Sequence, residues 1–183
     1  GGTTAVIIAA STIDGDLTVT SGNASGITDS GAVTVAGNLV ATTDANNGVI
    51  NLGTLKVDGT FTLAPNGTGA VTVVNDAGLN LAASTMGGTF SGTATTGDIT
   101  DSGALTITGA ATFITGATGS NIVLDHASNA FSNSVEIRAD DGSEAFGNIT
   151  FVDSAAIDFA TSAGSNGDLF INGGTDGAVG GNL

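Results

Sequence analysis

Along most of this chain an apolar residue alternates with Thr, Asn, Ser or Asp for a few positions, and the run then stops at Gly, Asn, Asp or Ser. The runs include LTVT at 17–20, VTVAG at 33–37, LKVDGTFTL at 55–63, VTVV at 71–74 and LNLAA at 79–83. They continue with LTIT at 105–108, VEIRA at 135–139, NITF at 148–151, AIDF at 156–159 and DLFIN at 168–172. A period of two over short stretches bounded by turn formers predicts β-strands with one face buried. Only HASNAF (126–131) and GSEAF (142–146) have any look of a helical turn.

The spacing of these runs predicts how they are arranged. One set of strand starts falls near Leu17, Val33, Leu55, Leu79, Leu105, Val135 and Ile157, and a second near Ile27, Ile50, Val73, Ile99, Ile122, Ile149 and Leu169. Leu39, Phe61, Phe90 and Phe113 lie between them and suggest a third strand per period. The second set advances by about 24 residues per step, a period that reads as a solenoid. The phrase ITDSGAVTVAG at 27–37 returns as ITDSGALTITG at 99–109, with eight of eleven positions identical. The shift from Ile27 to Ile99 equals three such steps, so the phrase is expected to return to the same place in a coil three turns later. The expected fold is all-β, a parallel β-helix or β-solenoid with about 24 residues and three strands per turn. Residues 1–183 are expected to form one segment of about seven turns, part of a longer chain, with less regular turns and longer loops expected over 126–183. An antiparallel sandwich is the competing architecture, since short strands with frequent turns also fit it; internal repetition of a phrase favours the coil.

Composition narrows the function classes. Seventeen Asp and Glu face two cations, Lys56 and Arg138, and the net charge is −15. Nucleic acid and anionic membrane surfaces are therefore not expected as partners. With no Cys there is neither a disulfide nor a catalytic thiol, and with no Trp or Tyr the core falls to Val, Ile, Leu, Ala and eight Phe. Thirty Gly against the single Pro65 indicate many tight turns. The opening GGTTAVIIAAS lacks a cationic leader and its apolar run is too short to span a membrane. Both ends are expected to be cuts inside a longer chain, or the chain a mature fragment.

Units such as GALTITGAATFITGATGSNIVL (103–124) and GAVTVAGNLVATTDANNGVINL (31–52) resemble the repeats of large bacterial surface and secreted proteins. These are the filamentous-haemagglutinin-like adhesins, autotransporter passengers and related β-strand-repeat proteins. The resemblance covers most of 15–125 and loosens from about 126. It implies a right-handed β-helix, export to the cell surface, and a role as filament, stalk or adhesin, and it carries no catalytic residues. The partners expected are other copies, through end-to-end stacking or fibre assembly, and a glycan or protein of a host or neighbouring cell gripped by irregular loops.

Each candidate for chemistry has a plainer reading. His126, the one histidine, follows Asp125, but no second His or Cys stands ready to complete a nucleophilic or metal-binding set. Asp140 and Asp141, followed by Gly142 and preceded by Arg138, resemble the paired carboxylates of β-helix glycoside hydrolases; an acidic turn is the simpler account. Asp14-Gly15-Asp16, Asp140-Asp141 and the tail SNGDLFINGGTDG (165–177) are oxygen-rich enough to hold calcium, although Asp and Asn also make turns through their own backbone. NAS (23–25), NGT (66–68) and NIT (148–150) match the N-glycosylation acceptor pattern. Rows of outward Thr suggest an ice-binding face, which turns of unequal length argue against; Thr is also a good exposed strand former. The expectation is a non-enzyme without catalytic residues or cofactor, with calcium the one ion considered and no metal ligand assigned.

Overall fold

In the computed structural model, which describes residues 4–44, 46–139 and 147–155, the chain is a β-solenoid of about six turns with three sheets. Among the described residues there is no helix, and every strand pairing is parallel. The antiparallel sandwich is thereby set aside. The runs at 156–159 and 168–172 and the segment 142–146 lie outside the described residues.

The first turn holds β1 (Val6–Ile8), β2 (Ser11–Ile13) and β3 (Leu17–Ser21). The second holds β4 (Ile27–Asp29), β5 (Val33–Val35) and β6 (Leu39–Thr43). In the third, β7 (Ile50–Val57) runs through both of the first two sides and is followed by β8 (Thr60–Ala64). Then come β9 (Val71–Asn75), β10 (Leu79–Leu81) and β11 (Ser84–Met86), and β12 (Phe90–Ala94), β13 (Ile99–Asp101) and β14 (Leu105–Ile107). Next are β15 (Ala111–Thr115), β16 (Ile122–Leu124) and β17 (Ala130–Phe131), and last β18 (Val135–Ala139) and β19 (Ile149–Phe151). The HASNAF segment is a tight turn, closed by Asn129 N–H on the His126 carbonyl at 3.0 Å, and it leads into β17 rather than a helix.

The longest ladder runs β1-β4-β7-β9-β12-β15-β18, six steps that span about 29 Å at the usual strand spacing. The step is shorter than the spacing of apolar runs predicts. Its shortest instance along the chain takes Val71 to Phe90, and its longest takes Ile122 to Ile149. Six steps carry the ladder from Val6 to Val135, an average of about 21.5 positions each, near the lower end of solenoid repeats. The strand-start sets therefore mix faces. Ile27 and Ile50 are register partners in one sheet, whereas Ile99, Ile122 and Ile149 form a column in another.

The repeated phrase is displaced by the same arithmetic. Three turns above Ile27 stands Phe90, through Ile50 and Val71, and Ile99 lies further along the chain, one side round the coil. What the two copies share is a corner: Ile27–Asp29 turns into Val33–Val35, and Ile99–Asp101 turns into Leu105–Ile107. In the lower two turns the strands run short, short, long; in the upper turns they run long, short, short. The sharp corner between two short strands has moved to the next side of the coil. The move is made in the third turn, where β7 straightens the old corner, with a register shift between Leu52 and Leu55. The long strand β9 then stacks across both halves of β7.

Inward positions form one core of Val, Ile, Leu, Ala, Met and Phe. Its upper part holds a stack of rings: Phe90 to Phe113 at 5.1 Å between centroids, Phe113 to Phe131 at 6.0 Å, and Phe131 to Phe151 at 4.9 Å. One inward column reads Leu52, Val73, Gly92, Phe113, Ile137. The glycine in it makes room for the Phe90 ring, since a Cβ there would lie 2.7 Å from Phe90 Cζ and 2.9 Å from Leu79 Cδ2.

Candidate functional site: the acidic corners

The described aspartates all stand at strand ends or between strands, while the outward faces carry mainly Thr, Ser, Asn and Val. This follows from local chemistry, because Asp and Asn offer the backbone a second acceptor and so settle at turns. In the coil the acceptor is used across layers. Asp29 receives Gly53 N–H at 3.1 Å, Thr54 N–H at 2.7 Å and the Thr54 hydroxyl at 2.8 Å. In the second copy of the phrase, Asp101 receives Asp125 N–H at 3.1 Å, His126 N–H at 3.2 Å and Asn129 Nδ2 at 2.6 Å. The backbone donors lie 24 and 25 residues on from the carboxylate in both cases. The phrase thus encodes a corner whose carboxylate fastens the turn above it.

Two further columns do the same at the entry to a strand. Asp16 accepts Asn38 N–H at 2.7 Å, and Asn38 accepts Thr60 N–H at 2.9 Å. Asp98 accepts Asn121 N–H at 2.7 Å, and Asn121 accepts Asn148 N–H at 2.8 Å. Parallel stacking places each side-chain oxygen under the amide of its successor, so a chain of charge-assisted and neutral bonds climbs the edge.

Where the corner changes sides, and again at the shortened β17, ladder partners are missing and buried side chains replace them. Asn75 is fully buried; its Oδ1 accepts Val57 N–H at 2.8 Å and its Nδ2 donates to the Val57 carbonyl at 3.0 Å and to the Gly78 carbonyl at 2.7 Å. Ser84 Oγ accepts Leu63 N–H at 3.0 Å. Asn129, also fully buried, accepts Leu105 N–H at 2.9 Å beside the shortened β17. These residues were not singled out in the sequence; their only mark is a polar side chain at an inward position of an alternating run, or just ahead of one.

The sequence-predicted candidates fall as follows. His126 is exposed, and its Nδ1 accepts Ser128 N–H at 3.2 Å. Asp125 beside it gives its amide to Asp101. Arg138 Nε meets Glu136 Oε1 at 3.0 Å on the surface, a pair worth little to stability when so exposed, and Lys56 is exposed. Asp140, Asp141, Gly142 and the tail 165–177 lie outside the described residues. Asp16 spends an oxygen on Asn38, and among the described residues no three His, Cys, Asp or Glu gather as a metal would need. A shallow open groove at the corner change is lined by Asp58, Asn80, Asp98 and Thr100, with Val57 and Leu79 at its base. No described helix is long and apolar enough to cross a membrane.

A protein-family model described as repeats of unknown function (DUF5649) matches residues 1–54 and 68–138. The interval between the two matched blocks, 55–67, holds the second half of β7 and all of β8, the layer at which the corner changes sides. The match agrees with a β-strand-repeat protein and does not speak to the filamentous-haemagglutinin-like or autotransporter families. No curated protein and no solved structure matches the chain.

Proposed function

We propose a function from one premise: the chain belongs to the family described as repeats of unknown function (DUF5649). It serves as a structural length of an exported bacterial surface filament, stalk or adhesin, lengthened by stacked solenoid turns and joined to other copies end to end. The observation that carries this reading is the use made of the polar groups. The carboxylates and amides of Asp29, Asp101, Asp16, Asn38, Asp98, Asn121, Asn75 and Asn129 are spent on backbone N–H groups one turn away. They hold the coil together along its axis, which is what an extended load-carrying element requires. Each turn contacts its neighbours, and length is added by repetition. Extracellular placement follows from the same role and from a hydroxyl-rich surface with few charges.

Electron microscopy of the native parent assembly tests this. Rods or fibres with the strand spacing along their axis are expected, and compact isolated globules overturn it.

A second reading rests on the widest register step, from Ile122 to Ile149. The extra length there falls within 126–148, and that stretch, or residues 160–180, forms an adhesive module for a glycan or protein. Deleting the 126–148 loops abolishes adhesion with the rod intact on this reading; surviving adhesion removes it.

A further inference from the structure

We propose that Asn66 is a self-modifying residue: the Asn66–Gly67 peptide of the folded chain closes to a succinimide and reopens as aspartate or isoaspartate. The reaction needs a solvent-exposed, unengaged backbone nitrogen after the asparagine and an activated side-chain carbonyl. Both are present. Gly67 is exposed and, among the described residues, its N–H donates no hydrogen bond. It sits at φ +55°, a conformation natural to glycine, in a turn closed by Gly69 N–H on the Asn66 carbonyl at 3.0 Å. The Asn66 side-chain oxygen accepts Asn47 N–H from the turn below at 3.2 Å, which draws electrons from Cγ. Thr43 Oγ1, almost fully buried, accepts Asn66 N–H at 2.8 Å and holds the residue in place.

Asn75, Asn121 and Asn47 lack this combination. After Asn75, Asp76 N–H is tied to the Leu55 carbonyl at 2.7 Å; after Asn121, Ile122 N–H is tied to the Asn148 carbonyl at 2.9 Å. Asn47 also precedes a glycine, but Gly48 is buried where Gly67 is exposed, so the peptide there is shielded from the water and base that the reaction uses.

In the reaction the Gly67 nitrogen forms a bond to Asn66 Cγ, the Cγ–Nδ2 bond breaks, and the amide nitrogen leaves as ammonia with the proton from Gly67. Water then opens the ring at either carbonyl. Aspartate keeps an acceptor for Asn47 N–H and adds a charge. Isoaspartate inserts a methylene into the backbone and draws the acceptor away, loosening the fastening between the second and third turns beside the corner change.

The experiment incubates the folded chain in warm neutral buffer and follows each asparagine by peptide mapping, a parallel sample being kept in urea. Asn66 is expected to convert about tenfold faster than Asn75 or Asn121, the factor for releasing a bonded N–H at about 1.4 kcal/mol. It is also expected to outpace Asn47, and Asn66→Gln removes the modification at that peptide. Conversion of Asn66 in urea but not in the folded chain overturns the proposal, as does conversion of Asn47, Asn75 or Asn121 at the same pace or faster.

Discussion

Replacing Asn75 with Ala tests whether a buried side chain stands in for a missing strand. The substitution removes three hydrogen bonds, two of them buried, and strands Val57 N–H and the Val57 carbonyl in the core. A buried backbone group left without a partner costs about 1–3 kcal/mol, so the two together destabilise by about 4 kcal/mol. With a urea slope of about 2 kcal/mol/M, the unfolding midpoint falls by about 2 M. Asn75→Asp keeps the acceptor for Val57 N–H and loses both donations, and it is expected to be no more stable. Because a solenoid can unfold in parts, hydrogen exchange is the sharper assay: the Val57 amide loses protection while amides in β13 and β15 keep theirs. The exposed outward Asn51 serves as the reference. If Asn75→Ala costs no more than Asn51→Ala, within about 0.5 kcal/mol, the idea that the side-chain amide carries the corner change is wrong.

Asp101→Ala should destabilise by about 1–2 kcal/mol and Asp29→Ala by a similar amount, since each loses charge-assisted bonds to two backbone amides at a partly exposed corner; Asn at either position should restore less than half of the loss in urea titrations, because its one carbonyl oxygen can accept only one of the two amides and its NH2 faces the other. Gly92→Ala should cost about 1–3 kcal/mol through overpacking against Phe90 and Leu79, and combining it with Phe90→Leu should cost less than the two single changes added, which a double-mutant cycle reads. His126→Ala should change stability by less than about 0.5 kcal/mol, because its ring makes one weak exposed hydrogen bond; a larger loss by thermal melting would give the histidine a role that its surroundings do not show.

Particular elements show how far the sequence was legible. Alternation placed LTVT, VTVV and VEIRA on β3, β9 and β18, and HASNAF misled because its apolar residues are too few to set a period. Ser84–Met86 went unseen because STM has a polar residue at an inward position, where Ser84 serves Leu63 rather than the core. The repeated phrase was legible as a repeat and misleading as a measure of the turn: the step from Ile27 to Ile99 is three turns and one side more.

Sequence alone determined that the chain is built of short strands with one apolar face, wound in a repeat, because period-two patterning and turn residues act over a few neighbours. Only the tertiary structure decided which strand lies on which. Inward Val, Ile, Leu and Phe are interchangeable as stacking partners, so the core does not specify its own register. Register is set by how many residues each corner consumes and by polar contacts such as Asp101 with His126 and Asn75 with Val57, which join residues 25 and 18 positions apart. The energy of those contacts exists only once the coil has closed.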